Sequence, residues 1–142
     1  MKKIFLVFII TLLVVSCEGP QGPQGPQGLG TNWKIIDLVV STNDWVENTD
    51  KDGLNRFYSS NFSMPEITST VFNEGTVITY FLNGNVQQTL PYVRHFENTS
   101  SNRWTQTIDF DYSIGNINVY VTNSDFVADP PNTMNFRVVL MW

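Results

Sequence analysis

Between positions 108 and 114 the sequence alternates without a fault: Ile108, Phe110, Tyr112 and Ile114 are apolar, while Asp109, Asp111 and Ser113 are polar. A period of two belongs to a strand with one face on a core and the other in water, and no helix satisfies it. Gly115-Asn116 follows, a pair suited to a type I′ or II′ turn, and then a second β-rich run from Ile117 to Asn123. A hairpin is predicted here, and it commits the chain to sheet structure.

The rest of the C-terminal region is built the same way. Short runs rich in Val, Ile, Thr, Phe and Tyr are separated by Gly, Asn, Asp and Pro, the signature of an all-β sandwich or barrel. Strands are expected near Trp33–Val40, Arg56–Met64, Thr76–Leu82, Asn85–Leu90, Trp104–Ile114, Ile117–Asn123 and Thr133–Met141, with a second hairpin turning at Asn83-Gly84. About seven strands over residues 31–142 define the expected fold class: a single antiparallel β-sandwich. The run Phe136 to Met141, interrupted mainly by Arg137, is apolar enough for a central strand. One helical turn is expected between Pro65 and Gly75, with proline at N1, Ile67 and Val71 on one face, and glycine at C′.

Residues 1–16 read as a bacterial secretion signal, with Lys2 and Lys3 ahead of an apolar run from Ile4 to Val15. That run falls short of the roughly 20 apolar residues needed to span a bilayer. It ends in Val14-Val15-Ser16-Cys17, which resembles the lipobox of bacterial lipoproteins and implies acyl chains on Cys17. Two or more chains hold stably where one binds only marginally. Conventional cleavage after Ser16 is the competing reading, but it leaves the chain's single cysteine unexplained. Glu18 follows Cys17, and by resemblance to bacterial sorting signals this favours the outer membrane over the inner.

Residues 17–30 hold three Gly-Pro-Gln triplets, from Gly19 to Gln27, and then Gly28-Leu29-Gly30. As a single chain this is a polyproline-II spacer reaching on the order of 35 Å. Glycine at every third position also meets the requirement of a collagen triple helix, so a homotrimer through these repeats is the second reading. Three triplets offer few interchain hydrogen bonds against the entropy of chain ordering.

Charge narrows the partners. The chain has 8 Lys+Arg and 13 Asp+Glu; removing Lys2 and Lys3 with the leader leaves 6 against 13, a net of −7. Such a chain does not bind nucleic acid by neutralising phosphate, nor anionic lipid by charge. Cys17 is therefore the expected link to the membrane.

Taken together, Val14 to Gly28, Trp33, Met64-Pro65-Glu66-Ile67-Thr68, Gly75 to Tyr80, Leu90-Pro91-Tyr92 and Phe136 to Leu140 resemble the collagen-like lipoproteins of Bacteroidota-type bacteria. Those proteins join a lipobox, a few Gly-x-y triplets and a C-terminal β domain. The resemblance implies an architecture and a cell-envelope location, and it transfers no catalytic residue.

Chemistry is sparse. His95 is the only histidine, and no Gly-x-Ser-x-Gly elbow accompanies it. Asp109 and Asp111 share a strand face about 7 Å apart, within the range of a glycosidase pair, but their alternation with Ile108, Phe110 and Tyr112 marks a solvated sheet face. Asn48, Asp50 and Asp52 place oxygen ligands at alternate positions before Gly53, like the first half of a calcium loop; position twelve is Ser59, which supplies no bidentate carboxylate. The competing reading is an Asx turn. Of the four tryptophans, Trp45 and Trp104 lie nearest polar loops and are the expected exposed pair for stacking on a sugar, against a packing role in the core. The leading expectation is a non-enzymatic binding or structural module with no cofactor and an unknown protein or glycan partner. A calcium- or glycan-binding adhesin domain is the alternative, and a hydrolase the third.

Overall fold

The computed structural model describes residues 30–142; the 1–16 leader, Cys17 and the Gly-Pro-Gln triplets lie outside the described residues. Among the described residues the chain forms nine strands: β1 (Trp33–Val40), β2 (Val46–Thr49), β3 (Arg56–Ser63), β4 (Thr76–Asn83), β5 (Val86–Thr89), β6 (Tyr92–Glu97), β7 (Arg103–Ser113), β8 (Asn116–Asn123) and β9 (Met134–Met141). One helix, α1 (Ser69–Glu74), separates β3 from β4. The strands form two antiparallel sheets, ordered β1-β9-β4-β5 and β2-β3-β8-β7-β6. This is the all-β, two-sheet arrangement that the alternation requires, and β9 is central in its sheet.

Two strands exceed the expected seven. Both β2 and β6 are edge strands that bury little: β2 is four residues long, and in β6 only Tyr92 and Phe96 are even partly buried. The hairpins pair the expected segments, but each turn sits one residue away from its predicted place. Asn83 pairs with Val86, so the turn is Gly84-Asn85, with positive φ at Gly84 alone, the type II′ pattern. Ser113 pairs with Asn116, so the second turn is Ile114-Gly115 and φ is +80° at Gly115, the type II pattern. Ile114, expected in the core, is therefore a turn residue and exposed. The turn is held from outside: Met64 N–H donates to the Gly115 carbonyl at 2.7 Å and Gly115 N–H to the Ile67 carbonyl at 2.9 Å.

Helix α1 buries Val71 beside Ile67 as expected, but its start differs. Thr68 is the N-cap, its hydroxyl accepting from Val71 N–H at 3.3 Å, so Pro65 lies in the preceding turn. Gly75 is extended, not left-handed; it is small because a Cβ there would run into the Met141 carbonyl.

The core lies between the sheets in two clusters. Met64, Ile67, Val71, Val77, Ile117, Val138 and Leu140 fill the end where β1 begins. Val40, Trp45, Tyr58, Leu90, Ile108, Val119, Val121 and Phe136 fill the opposite end. Trp45, expected to be exposed, is only 7% accessible. The reason is local: Ser41 N–H donates to Asp44 Oδ2 at 3.0 Å and Asp44 N–H to the Ser41 carbonyl at 2.9 Å, closing a 3₁₀ turn over Thr42–Asp44. That turn is followed by Trp45 packed into the core cluster.

The two outer faces differ in chemistry. On the five-stranded sheet the register sets Asn61, Asn118 and Asp111 in one row, with Thr105, Thr107 and Asp109 on the same face. On the four-stranded sheet the equivalent row is Ile35, Val139 and Ile78.

Candidate functional site

The register gives the domain two distinct ends. Asn32 exchanges backbone hydrogen bonds with Trp142 at 2.8 and 3.0 Å, and Trp33 pairs with Met141, so the chain enters beside the end of β9. Met134 at the start of β9, Asn123 at the end of β8 and Trp104 at the start of β7 lie together at the other end, lining one hollow. Three neighbouring hollows there share Trp104. One of about 280 Å³ is lined by Asn98, Asn102, Asn123, Asp125, Val127 and Asp129 as well. A second, of about 230 Å³, adds Phe96, Gln106 and the Pro130–Asn132 segment. A third, of about 430 Å³, opens toward His95, Glu97, Arg103 and Ser124.

Each wall has a local cause. Asn98 Oδ1 accepts from Ser100 N–H at 2.9 Å and Asn102 N–H at 3.0 Å, an Asx-type arrangement that shapes the β6–β7 turn. The opposite wall is the β8–β9 loop, pinned by Thr105 N–H on Ser124 Oγ at 2.9 Å and by Arg56 Nη1 on the Phe126 carbonyl at 3.3 Å. Gln106 Nε2 donates to Asn123 Oδ1 at 3.1 Å across the floor. Phe96 and Trp104 stack at 5.4 Å with planes 11° apart, and the Arg94 guanidinium lies 5.0 Å from the Phe96 ring centre. Trp104 is thus one element of a rigid aromatic pile, half-buried at the cleft.

The expected tryptophan pair is divided. Trp104 lines the cleft, while buried Trp45 supports it: Trp45 Nε1 donates to the Asn132 carbonyl at 3.4 Å, behind the Pro130–Asn132 wall. Asn48 turns its amide to the Val46 carbonyl and Ser59 Oγ, at 2.8 and 2.9 Å. Asp50 accepts from Leu54 N–H at 3.1 Å and from the Asn55 side-chain amide. Loss of water would raise the Asp50 carboxyl, but these bonds together hold it below the ordinary carboxylate range. Asn48 and Asp50 thus bond within their own hairpin, and among the described residues no three His, Cys, Asp or Glu side chains gather at one point.

His95 is exposed, its Nδ1 2.9 Å from Thr105 Oγ1 directly across the ladder. Asp111 accepts from Asn118 Nδ2 at 2.6 Å and from Tyr120 hydroxyl at 2.8 Å. Asp109 is half-buried, and desolvation, followed by the Asp111 charge, raises its carboxyl. The Tyr120 hydroxyl is pushed up to about 12 by desolvation first, then by its bond to Asp111 and the charges of Asp111 and Asp109. These two aspartates belong to a hydrogen-bonded sheet face and line none of the three hollows at Trp104.

Sequence reasoning missed Phe96, Asn123, Asp125 and Asp129. A usable signal existed for the first: Phe96 and Trp104 bracket the polar segment Glu97–Arg103, so a hairpin there sets the rings face to face. The carboxylates come from a loop whose position depends on distant contacts. Fold and site define a class: a two-sheet antiparallel sandwich with an aromatic-floored cleft at the end opposite its chain entry. No protein-family model matches the chain, and neither a curated protein nor a solved structure matches it significantly.

Proposed function

We propose that the chain is a lipid-anchored, non-enzymatic binding module of the cell envelope, held at Cys17, raised on the Gly-Pro-Gln spacer, and using the Trp104 cleft as its binding end. The observation that carries this reading is the cleft's position: its hollows share Trp104 and lie at the pole remote from Asn32 and Trp142. The first described strand therefore begins at the end of the domain opposite the cleft, and chain entry does not occupy it. The lipobox-like Val14–Cys17 segment and Glu18 support an outer-membrane address.

The ligand class follows from the lining. An aromatic plane offers dispersion contact to the C–H face of a sugar ring, and Asn98, Asn102 and Asn123 offer both donors and acceptors to its hydroxyl rim. Asp125 and Asp129 accept hydroxyl donors and repel anions. A neutral or amino-bearing glycan fits, and an acidic one does not.

Two experiments test the reading. A glycan array probed with the mature chain yields hits among neutral or amino sugars; no hit, or hits confined to acidic glycans, overturns the cleft assignment. Cys17→Ser material leaves the membrane fraction for the soluble one, and retention through a high-salt wash overturns the anchor.

A further inference from the structure

We infer that Asn83-Gly84 is a site of spontaneous covalent modification, where the asparagine becomes aspartate and isoaspartate with water as the only co-reactant. The strand register splits this pair. Asn83 is the last residue of β4, opposite Val86, and Gly84 opens the turn with φ at +59°.

Both reacting groups are accessible. Asn83 is exposed, and among the described residues its side-chain amide has no hydrogen-bond partner, whereas those of Asn48, Asn55, Asn61, Asn98 and Asn118 are held. The Gly84 N–H makes none of the backbone bonds that tie down the turns and loops. Glycine has no side chain to shield its nitrogen, and a Cβ placed on Gly84 would meet nothing within 4 Å. A ring therefore has room to close there. Asp52-Gly53 has the same spacing, but the Gly53 N–H is engaged, donating to the Asp50 carbonyl at 3.0 Å. The structure thus separates two pairs that look alike in sequence.

The Gly84 nitrogen attacks the Asn83 side-chain carbonyl carbon. A C–N bond forms, the bond to the amide nitrogen breaks, and that nitrogen leaves as ammonia with the proton shed by Gly84. Water then opens the succinimide. Cleavage on the side-chain carbonyl gives aspartate; cleavage on the main-chain carbonyl gives isoaspartate, in which the chain runs through the side-chain carbons. Nothing is oxidised or reduced.

Either product adds a carboxylate at the cleft end of the domain. Val77, Thr79 and Phe81 face the core from β4 and Asn83 continues that row, while its neighbour Leu82 lies opposite Asn135, beside the Met134 that lines a hollow at Trp104. Isoaspartate also lengthens the backbone where a two-residue loop demands fixed geometry. The part that loosens is β5, four residues long and at the sheet edge. None of this depends on what the cleft binds.

The test is incubation of the full chain, folded in detergent, in mildly alkaline oxygen-18 water, followed by peptide mass spectrometry. The expected result is exchange of an amide nitrogen for labelled oxygen at Asn83, faster than at any other asparagine, with the peptide resolving into two isomers. Asn83→Gln, whose melting curve matches the parent, abolishes that signal. A parallel sample in urea measures the unfolded chain. Labelling of Asn83 only in urea would show that the fold protects the pair and would overturn the inference. So would isoaspartate appearing at Asp52 in the folded chain as fast as at Asn83, or labelling of the Asn83 peptide that persists in Asn83→Gln.

Discussion

Phe96 and Trp104, partners across the β6–β7 ladder, lie ring on ring with centroids 5.4 Å apart. The Phe96 contact fixes the orientation of the Trp104 indole before any ligand arrives, which lowers the ordering cost of binding. Trp104→Ala is predicted to keep the fold, because the side chain is only partly buried, and to weaken glycan binding by at least about tenfold, or ~1.4 kcal/mol. Trp104→Phe retains part of the affinity. Isothermal titration with an array hit, beside a melting curve, measures both.

Trp45 is the opposite case. Its ring packs in the cluster with Phe136 and Val121, and its indole N–H reaches Asn132. Trp45→Ala is predicted to cost about 3–5 kcal/mol of stability, by the scale of large aromatic deletions, read as a lower urea midpoint at unchanged slope. Trp45→Phe costs less, and it also releases the Pro130–Asn132 wall, so its effect on binding exceeds that of a distant core substitution of equal stability.

Thr79 is fully buried, and its hydroxyl has no hydrogen-bond partner among the described residues. A buried, unpaired hydroxyl is a penalty, since water satisfies the group in the unfolded chain. Thr79→Val keeps the branched shape suited to β4 and is predicted to raise stability by about 1 kcal/mol. A melting temperature that falls instead would show that the hydroxyl is satisfied in solution.

Stability at high pH follows Tyr120. Its folded value of about 12 stands above the ordinary 10.0, so the folded state holds the proton more tightly. The stabilisation is complete below pH 10 and is lost as pH rises from 10 through about 12. Tyr58, raised by burial first and then by Glu47, adds in the same direction. Tyr120→Phe is predicted to flatten this alkaline loss in part. At the acid end Asp109 is raised above 3.8, so its contribution falls as pH climbs past that value, and Asp109→Asn stabilises at pH 7 but not at pH 3. Urea titrations at these pH values measure each difference.

The fold was readable where the hydrophobic pattern is set by one neighbouring layer. Ile108, Phe110 and Tyr112 face inward because β7 has a core on one side only, and that leaves a period of two in the sequence. Of the four edge strands β1 and β5 were legible, while two leave no such trace: β6 carries Arg94 between Tyr92 and Phe96 on the same face, and β2 is four residues long. The turns were displaced by one because Asn83-Gly84 and Gly115-Asn116 carry turn chemistry at two adjacent offsets, and pairing across the whole strand decides between them. Trp45 looked like a loop residue from Asn43 and Asp44, yet the 3₁₀ turn that buries it is visible only once Asp44 is seen bonded to Ser41. Half the cleft was legible through Trp104; its carboxylates lie on a loop held by Arg56, seventy positions away in sequence.

The most direct test of the cleft is the indole N–H spectrum of the nitrogen-15-labelled Cys17→Ser chain, in which Trp33, Trp45, Trp104 and Trp142 each supply a signal. The ligand is a neutral oligosaccharide taken from the array hits. Titration is predicted to shift the Trp104 signal saturably while the Trp45 signal holds nearly still. A bound glycan that leaves Trp104 unmoved, or that shifts Trp33 or Trp142 in its place, would contradict the assignment of the cleft.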